Sequence, residues 1–204
     1  MSELPIRCSC GKLHGHVSDV APQHCNRVVC YCDDCQAFAH YLGHAEQTLD
    51  AYGGTDIVQL SPARVQFTAG VEHLACMRLS PKGLLRWYAD CCKTPIGNTM
   101  PTRQFAFVGL VHSCLDSGAN SLDSVLGPVR GKVFRRFAKG AYKLSPKQDR
   151  MPLGMLLRLA GLILLWRIRG DHKRSPFFDQ RTGEPSTKPY VLSKEERNKL
   201  RSNG

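Results

Sequence analysis

Residues 1 to 7, Met-Ser-Glu-Leu-Pro-Ile-Arg, hold neither the cluster of positive charge nor the apolar run of a secretory leader, so nothing in them points to an oxidising compartment. A cytoplasmic location is expected, and with it reduced cysteines. The chain also lacks an apolar run of the about twenty residues that a membrane-spanning helix needs. Its most apolar stretch, Met151 to Trp166, is sixteen residues long and contains Arg158. Internal repeats and low-complexity tracts are missing, which leaves room for one domain and an extension in 204 residues. Acidic residues are scarce in one region only. Residues 130 to 204 hold 19 of the 28 Lys and Arg but 6 of the 17 Asp and Glu, a net charge of +13 against −2 for the rest. No nucleic-acid-binding motif accompanies that charge, so a solvated surface with weak polyanion affinity is expected, not specific nucleic-acid recognition.

What the chain has is cysteine, ten residues in all. Cys30, Cys32 and Cys35, within Val28-Val-Cys-Tyr-Cys-Asp-Asp-Cys-Gln36, offer three thiolates to one metal ion and leave its fourth position unclaimed. That division separates catalytic zinc, which keeps three protein ligands and an open position, from structural zinc, which takes four. Residues 30 and 32 of a strand project to the same side, and two further residues suffice to turn Cys35 back toward them. A second cluster, Cys8-Ser-Cys10-Gly11, uses the same i, i+2 device but supplies two ligands only. Its lender is Ala89-Asp-Cys91-Cys92-Lys-Thr-Pro-Ile96, about eighty positions along the chain, and such a closure staples a domain. Disulfides are the competing account, but clusters at this spacing in a cytosolic chain favour zinc, and all-thiolate ligation favours it too, with iron and sulfur as the other option. Cys25, Cys76 and Cys114 stand alone and read as small buried apolar residues.

Cys-x-Cys-Gly near the start, Cys-Tyr-Cys-x-x-Cys-Gln about twenty residues later, and Cys-x-Thr-Pro-Ile at Cys92 together resemble the glutathione-dependent formaldehyde-activating enzyme family, which includes the centromere protein V-like domains. The resemblance covers roughly residues 6 to 140. It implies a β-tent fold with antiparallel sheets organised around two zinc ions, and the chain as a whole is expected to be mainly β with a C-terminal helical extension read from its own residues. It further implies that Cys8, Cys10 and Cys92 hold the structural ion, and Cys30, Cys32 and Cys35 the catalytic one. The family pattern is Cys-x-x-Cys-Gly, whereas here Ala89 stands at the first cysteine and Lys93 at the glycine. Cys91 is therefore taken as the fourth structural ligand, with Cys25, Cys76 or a histidine as alternatives. Neighbours on an extended chain project to opposite sides, so Cys91 and Cys92 can share an ion only where the backbone turns sharply.

Short β-branched and aromatic runs, Ile57 to Leu60, Arg64 to Phe67, Leu74 to Leu79, Leu84 to Tyr88 and Phe105 to Val111, alternate with turn-formers and predict antiparallel strands. The chain divides into a zinc-binding domain over residues 1–142 and a basic extension over 143–204 with an apolar helix at 152–168. Pro152 suits the first turn of that helix, and Arg167 and Arg169 suit its end. Packing on the sheet or on a second copy is its expected role, and Trp166 beside basic residues raises weak membrane-surface contact as the sharper idea. Residues 170 to 188 read as loop, and Ser193-Lys-Glu-Glu196 as a capping box. His40 and His44 lack a third ligand, and Asp33 and Asp34 shape the ligand turn.

The function implied by the resemblance is that of a zinc-dependent carbon-sulfur lyase of the S-(hydroxymethyl)glutathione synthase type. The Cys30, Cys32, Cys35 zinc would bind a small thiol such as glutathione and prepare it for attack on an aldehyde. The other class is a non-catalytic, zinc-stabilised scaffold that acts through its basic extension.

Overall fold

Alternation of β-branched and aromatic residues with polar ones sets the strands, and the cysteine motifs sit where strands end. The computed structural model describes residues 3–145, 149 and 152–202. Strands β1 (Leu4–Arg7) and β2 (His14–Val17) pair antiparallel around the first cysteine motif. They are followed by β3 (Asn26–Cys30), helix α1 (Asp33–Tyr41), the single-turn helix α2 (Ala45–Thr48) and β4 (Thr55–Leu60). Five more strands follow: β5 (Val65–Ala69), β6 (Leu74–Arg78), β7 (Leu85–Ala89), β8 (Thr94–Thr99) and β9 (Val108–Val111). Helix α3 (Leu122–Leu126), strand β10 (Gly131–Val133), helix α4 (Leu153–Ile168), strand β11 (Tyr190–Val191) and helix α5 (Lys194–Ser202) complete the fold.

The molecule is mainly β. One sheet has the order β1-β2-β5 and the other β10-β3-β4-β9-β8-β7-β6-β11. Pairing is antiparallel except at the two edges of the large sheet, where β10 runs parallel to β3 and β11 parallel to β6. Leu4 and Ile6 of β1, Val65 of β5, Leu60 of β4, Trp87 of β7 and Leu110 of β9 belong to one buried cluster, so the two sheets share a core.

β8 is absent from the strands the sequence predicts, because Thr94-Pro-Ile-Gly-Asn-Thr99 reads as a turn. Pro95 is tolerated in this central strand where the β7–β8 register shifts between Trp87 and Tyr88. Gly97 is required: a Cβ there would lie 2.8 Å from the Gly109 carbonyl oxygen of β9. The run expected from Phe105 is strand only from Val108, since residues 102 to 107 turn.

The basic extension packs into the core of the preceding sheets. Phe177 is fully buried against Trp87, ring centroids 5.2 Å apart, and meets Phe67 edge-on at 5.7 Å. β10 and β11 supply both edges of the large sheet. Helix α4 begins after Pro152, as the sequence predicts, and buries Met155 and Trp166 on one face. Arg158 ties that face to the Pro22 and Cys25 carbonyls at 3.1 Å each. Its outer stripe, Leu153, Leu156, Leu157, Leu164 and Ile168, is exposed. Among the described residues, no helix is long and apolar enough to cross a membrane. The capping box is present: Ser193 N–H donates to Glu196 Oε2 at 2.8 Å, and Glu196 N–H to Ser193 Oγ at 3.1 Å.

Candidate metal centres

Cys8 and Cys10 flank a tight turn between β1 and β2. Gly11 adopts φ +76° there, its N–H donates to the Cys8 carbonyl, and Leu13 N–H points at the Cys8 sulfur at 3.3 Å. Across from it, the chain leaves β7 at Ala89 and enters β8 at Thr94. The sharp bend that adjacent cysteines require lies here, and Lys93 takes a left-handed φ of +59° to complete it. Glycine is the residue that adopts this conformation without strain, and here a lysine adopts it. The Sγ atoms of Cys8, Cys10, Cys91 and Cys92 all lie within 4.8 Å of one another. Their close pairs are 3.5 Å (Cys8–Cys10), 3.4 Å (Cys10–Cys91), 3.8 Å (Cys8–Cys91) and 3.9 Å (Cys91–Cys92). Zinc with tetrahedral Zn–S bonds of about 2.3 Å spaces its sulfurs by about 3.8 Å, close to the four short pairs here, so the thiols suit an ion of that kind.

The surroundings favour thiolate at Cys92. Burial opposes ionisation, but bonds from Ser9, Thr94 and the backbone outweigh it and bring the thiol down to about 5, whereas burial with the Cys10, Cys8 and Cys92 contacts pushes Cys91 up to about 12. His44 Nε2 lies 2.8 Å from the Cys92 carbonyl oxygen and holds the ligand turn from outside, a role its sequence position does not reveal. His40 belongs to neither sulfur cluster.

The second cluster forms at a junction of strand and helix. Cys30 is the last residue of β3, but Cys32 is already the N-cap of α1, and Cys35 lies in the first helical turn, its N–H bonded to the Cys32 carbonyl at 3.0 Å. The expectation that residues 30 and 32 share a strand is corrected accordingly. The helix start places peptide N–H groups and the positive end of the dipole beside the sulfurs, which suits thiolates. Asp33 accepts from Asp34 N–H at 3.0 Å, the turn-shaping role expected of it. The three Sγ atoms lie within 4.8 Å of one another, with Cys30 and Cys32 3.4 Å apart.

Arg86 of β7 reaches this cluster from beneath. Its side chain is buried, its Nη1 lies 3.9 Å from Cys35 Sγ and donates to Asn98 Oδ1 at 3.1 Å, and its guanidinium covers the Phe38 ring. The charges that favour its cationic form are led by Cys35 and Cys32, with Asp34 after them, so the thiolates are its main counter-charge. The Cys35 thiol is held well below its ordinary value, first by contacts from Cys30 and Cys32 and then by the Arg86 charge. Those contacts push Cys30 well up, while Cys32 rises to about 12, its contact with Cys30 outweighed by Cys35 and burial. The single charged residue within the Leu84-Leu-Arg-Trp-Tyr88 run was the one sequence signal for Arg86. Beside the cluster a cavity of about 190 Å³ opens, walled by Val28, Ile57, Phe107, Val133, Met155 and Leu159, with Arg86, Asn26, Gln59 and Asn98 as its polar residues.

Residues 1–188 match the model of DUF6151, a family of unknown function. The chain belongs to that family. No curated protein matches it. A crystal structure of a Rhodobacter sphaeroides protein, a Northeast Structural Genomics target, is similar at 17% identity and a TM-score of 0.42, over 63% of this chain and 99% of that one.

The three remaining cysteines of this DUF6151 chain lie apart from both clusters. Cys25 donates to the Leu126 carbonyl at 3.5 Å and Cys114 to the Val111 carbonyl at 3.1 Å, and burial pushes Cys76 and Cys114 up to about 12. They are buried, inert thiols. Cys25 and Cys76, the alternatives for a fourth ligand, belong to neither sulfur cluster, whereas Cys91 lies with Cys8, Cys10 and Cys92.

Proposed function

We propose that this chain is a zinc-dependent, carbon-sulfur lyase-like protein that makes or cleaves the adduct of a small thiol with an aldehyde at Cys30, Cys32 and Cys35. One observation carries the reading: three clustered sulfurs and a buried arginine face a cavity instead of a fourth protein ligand. The resemblance in the cysteine motifs supports the same chemistry. In this reading Cys8, Cys10, Cys91 and Cys92 hold a second, structural zinc that staples β1 to β8.

When bound, the open-site zinc would stabilise the deprotonated sulfur of an incoming thiol. The chain's own residues do the rest. Three thiolates and a divalent ion sum to one negative charge, which the Arg86 guanidinium neutralises in the low-dielectric interior. The same guanidinium and Asn98 line the wall where an aldehyde oxygen would gain charge as sulfur attacks carbon, a donor arrangement suited to a developing alkoxide. No Asp, Glu, His, Lys or Tyr is among the cavity-lining residues, so the proton that completes the hydroxyl comes from water.

The test is a pair of measurements on the zinc-loaded chain: calorimetry with glutathione, the thiol named by the resemblance, and proton NMR of thiol with formaldehyde to follow adduct formation. Thiol binding lost in Cys32→Ser supports the reading. A site that takes no thiol refutes it.

One observation favours a second reading, a scaffold that contacts anionic surfaces. The outer leucines of α4 stand beside Arg167 and Arg169, with no acidic residue in the helix. Flotation with anionic vesicles at low salt decides it, and failure to float removes it.

A further inference from the structure

The cavity beside Cys30, Cys32 and Cys35 has a lining that is mostly apolar. Its walls are Val28, Ile57, Val133 and Met155, and of the lining residues that are not fully buried Leu84, Phe107, Phe134 and Leu159 are apolar, with Gln59 the polar one. The one cation is Arg86, already balanced by sulfur. Arg136, two residues from the lining Phe134, has its guanidinium 5.6 Å from that ring and is paired with Asp149. A glutathione-sized thiol would carry two carboxylates and an ammonium into or past these surfaces, where each loses water without gaining a partner.

One polar atom in the cavity is unspent. Asn26 is fully buried, and its Nδ2 donates to Gln59 Oε1 at 2.7 Å, but its Oδ1 has no hydrogen-bond partner among the described residues. A buried acceptor left unpaired is destabilising, and a ligand that brings an O–H donor relieves it once the Asn26 side chain turns to meet that donor. Arg86 and Asn98 lie on the same wall and offer N–H donors to that ligand's oxygen.

We infer that the cavity takes an uncharged, apolar aldehyde–thiol adduct, an aryl or alkyl hydroxythioether, whose hydroxyl donates to Asn26 Oδ1. This rests on the proposed carbon-sulfur chemistry and narrows its substrate class away from glutathione. The step balances without any redox partner. Thiol sulfur, having lost its proton to solvent, attacks the carbonyl carbon; the C–S bond forms, the C=O π bond breaks, and the resulting oxygen takes one proton from water. Cleavage is the reverse.

Three ligands test it on the full chain: benzyl mercaptan, glutathione, and benzyl alcohol, which has the ring and the hydroxyl but no sulfur. Calorimetry of the zinc-loaded chain should find benzyl mercaptan at least about tenfold tighter than glutathione. Leu159→Lys, at the rim, should reverse that order with the metal count unchanged, because it offers a carboxylate of glutathione a partner, and Leu84→Lys repeats the test from another element. Benzyl alcohol should shift the Met155 methyl resonance in the metal-free chain and cease to do so in Asn26→Leu. Glutathione binding as tightly as benzyl mercaptan, or rim variants without effect, overturns the substrate class while leaving thiol chemistry standing. If benzyl alcohol binds and neither thiol does, the carbon-sulfur reading fails and takes this inference with it.

Discussion

Replacing Arg86 by Met removes a buried charge and keeps an apolar side chain of similar length, which makes it a measure of how strongly the arginine supports the three-cysteine centre. Its Nη1 lies 3.9 Å from Cys35 Sγ. At an effective dielectric of about 20, two unit charges at that distance interact by about 4 kcal/mol. A metal-loaded cluster of three thiolates carries one net negative charge, and Cys35, held low without metal, brings part of that charge to the metal-free cluster, so Arg86→Met should weaken metal binding by only part of that amount, about tenfold. The competing loss, the bond to Asn98 Oδ1, falls on the folded state whether or not metal is bound and so largely cancels from the affinity. Competition with a metallochromic chelator reads the affinity of the weaker site, and circular dichroism confirms that the sheets persist. Affinity within threefold of the parent, in a folded chain, would refute the view that arginine and thiolates form one charge-balanced unit.

The two centres should respond differently to cysteine loss: Cys10→Ser should unfold the chain, because that site ties β1 to β8, whereas Cys35→Ser should remove one metal ion and leave the far-ultraviolet dichroism near that of the parent. Metal loading of the three-cysteine centre at neutral pH should release fewer than three protons, since Cys35 is held well below its ordinary value while Cys30 and Cys32 are held high, and calorimetry in buffers of different ionisation enthalpy counts them; a full three would contradict the assignment. At the strained φ of +59°, Lys93→Gly should be tolerated within about 1 kcal/mol while Lys93→Val costs about 2 kcal/mol, read by denaturant unfolding; equal effects would remove the backbone argument. A chain ended after Tyr142 loses Phe177 from the core and β11 from the sheet edge, so it should aggregate, as light scattering would show; a soluble, metal-loaded product would mean that the extension is dispensable.

Local patterns were legible where the chemistry is local. The i, i+2 cysteine pairs, the apolar helix after Pro152 and the Ser193–Glu196 capping box each depend on residues a few positions apart, and the structure has all three. Thr94 to Thr99 was illegible because Pro95 and Gly97 look like turn residues; their fit depends on a register shift opposite Trp87 and on the Gly109 carbonyl, both distant in sequence. Arg86 was hidden for the same reason, since only the sheet brings β7 under α1. The charge step at residue 130 marked a change in composition, yet the packing of Phe177 and Leu192 crosses it, because apolar burial is indifferent to surface charge. The bend at Lys93 shows the converse: the sequence posed the problem of adjacent ligands, and the backbone resolves it with strain.

The most direct test of the central claim is X-ray absorption at the zinc edge of the loaded chain, before and after adding benzyl mercaptan. Four sulfurs at one centre and three at the other predict an average between three and four sulfur ligands per zinc, with a lighter atom completing the shell, rising to four when the thiol occupies the open position. An average of four before any thiol is added, or no change on its addition, would contradict an open three-cysteine site.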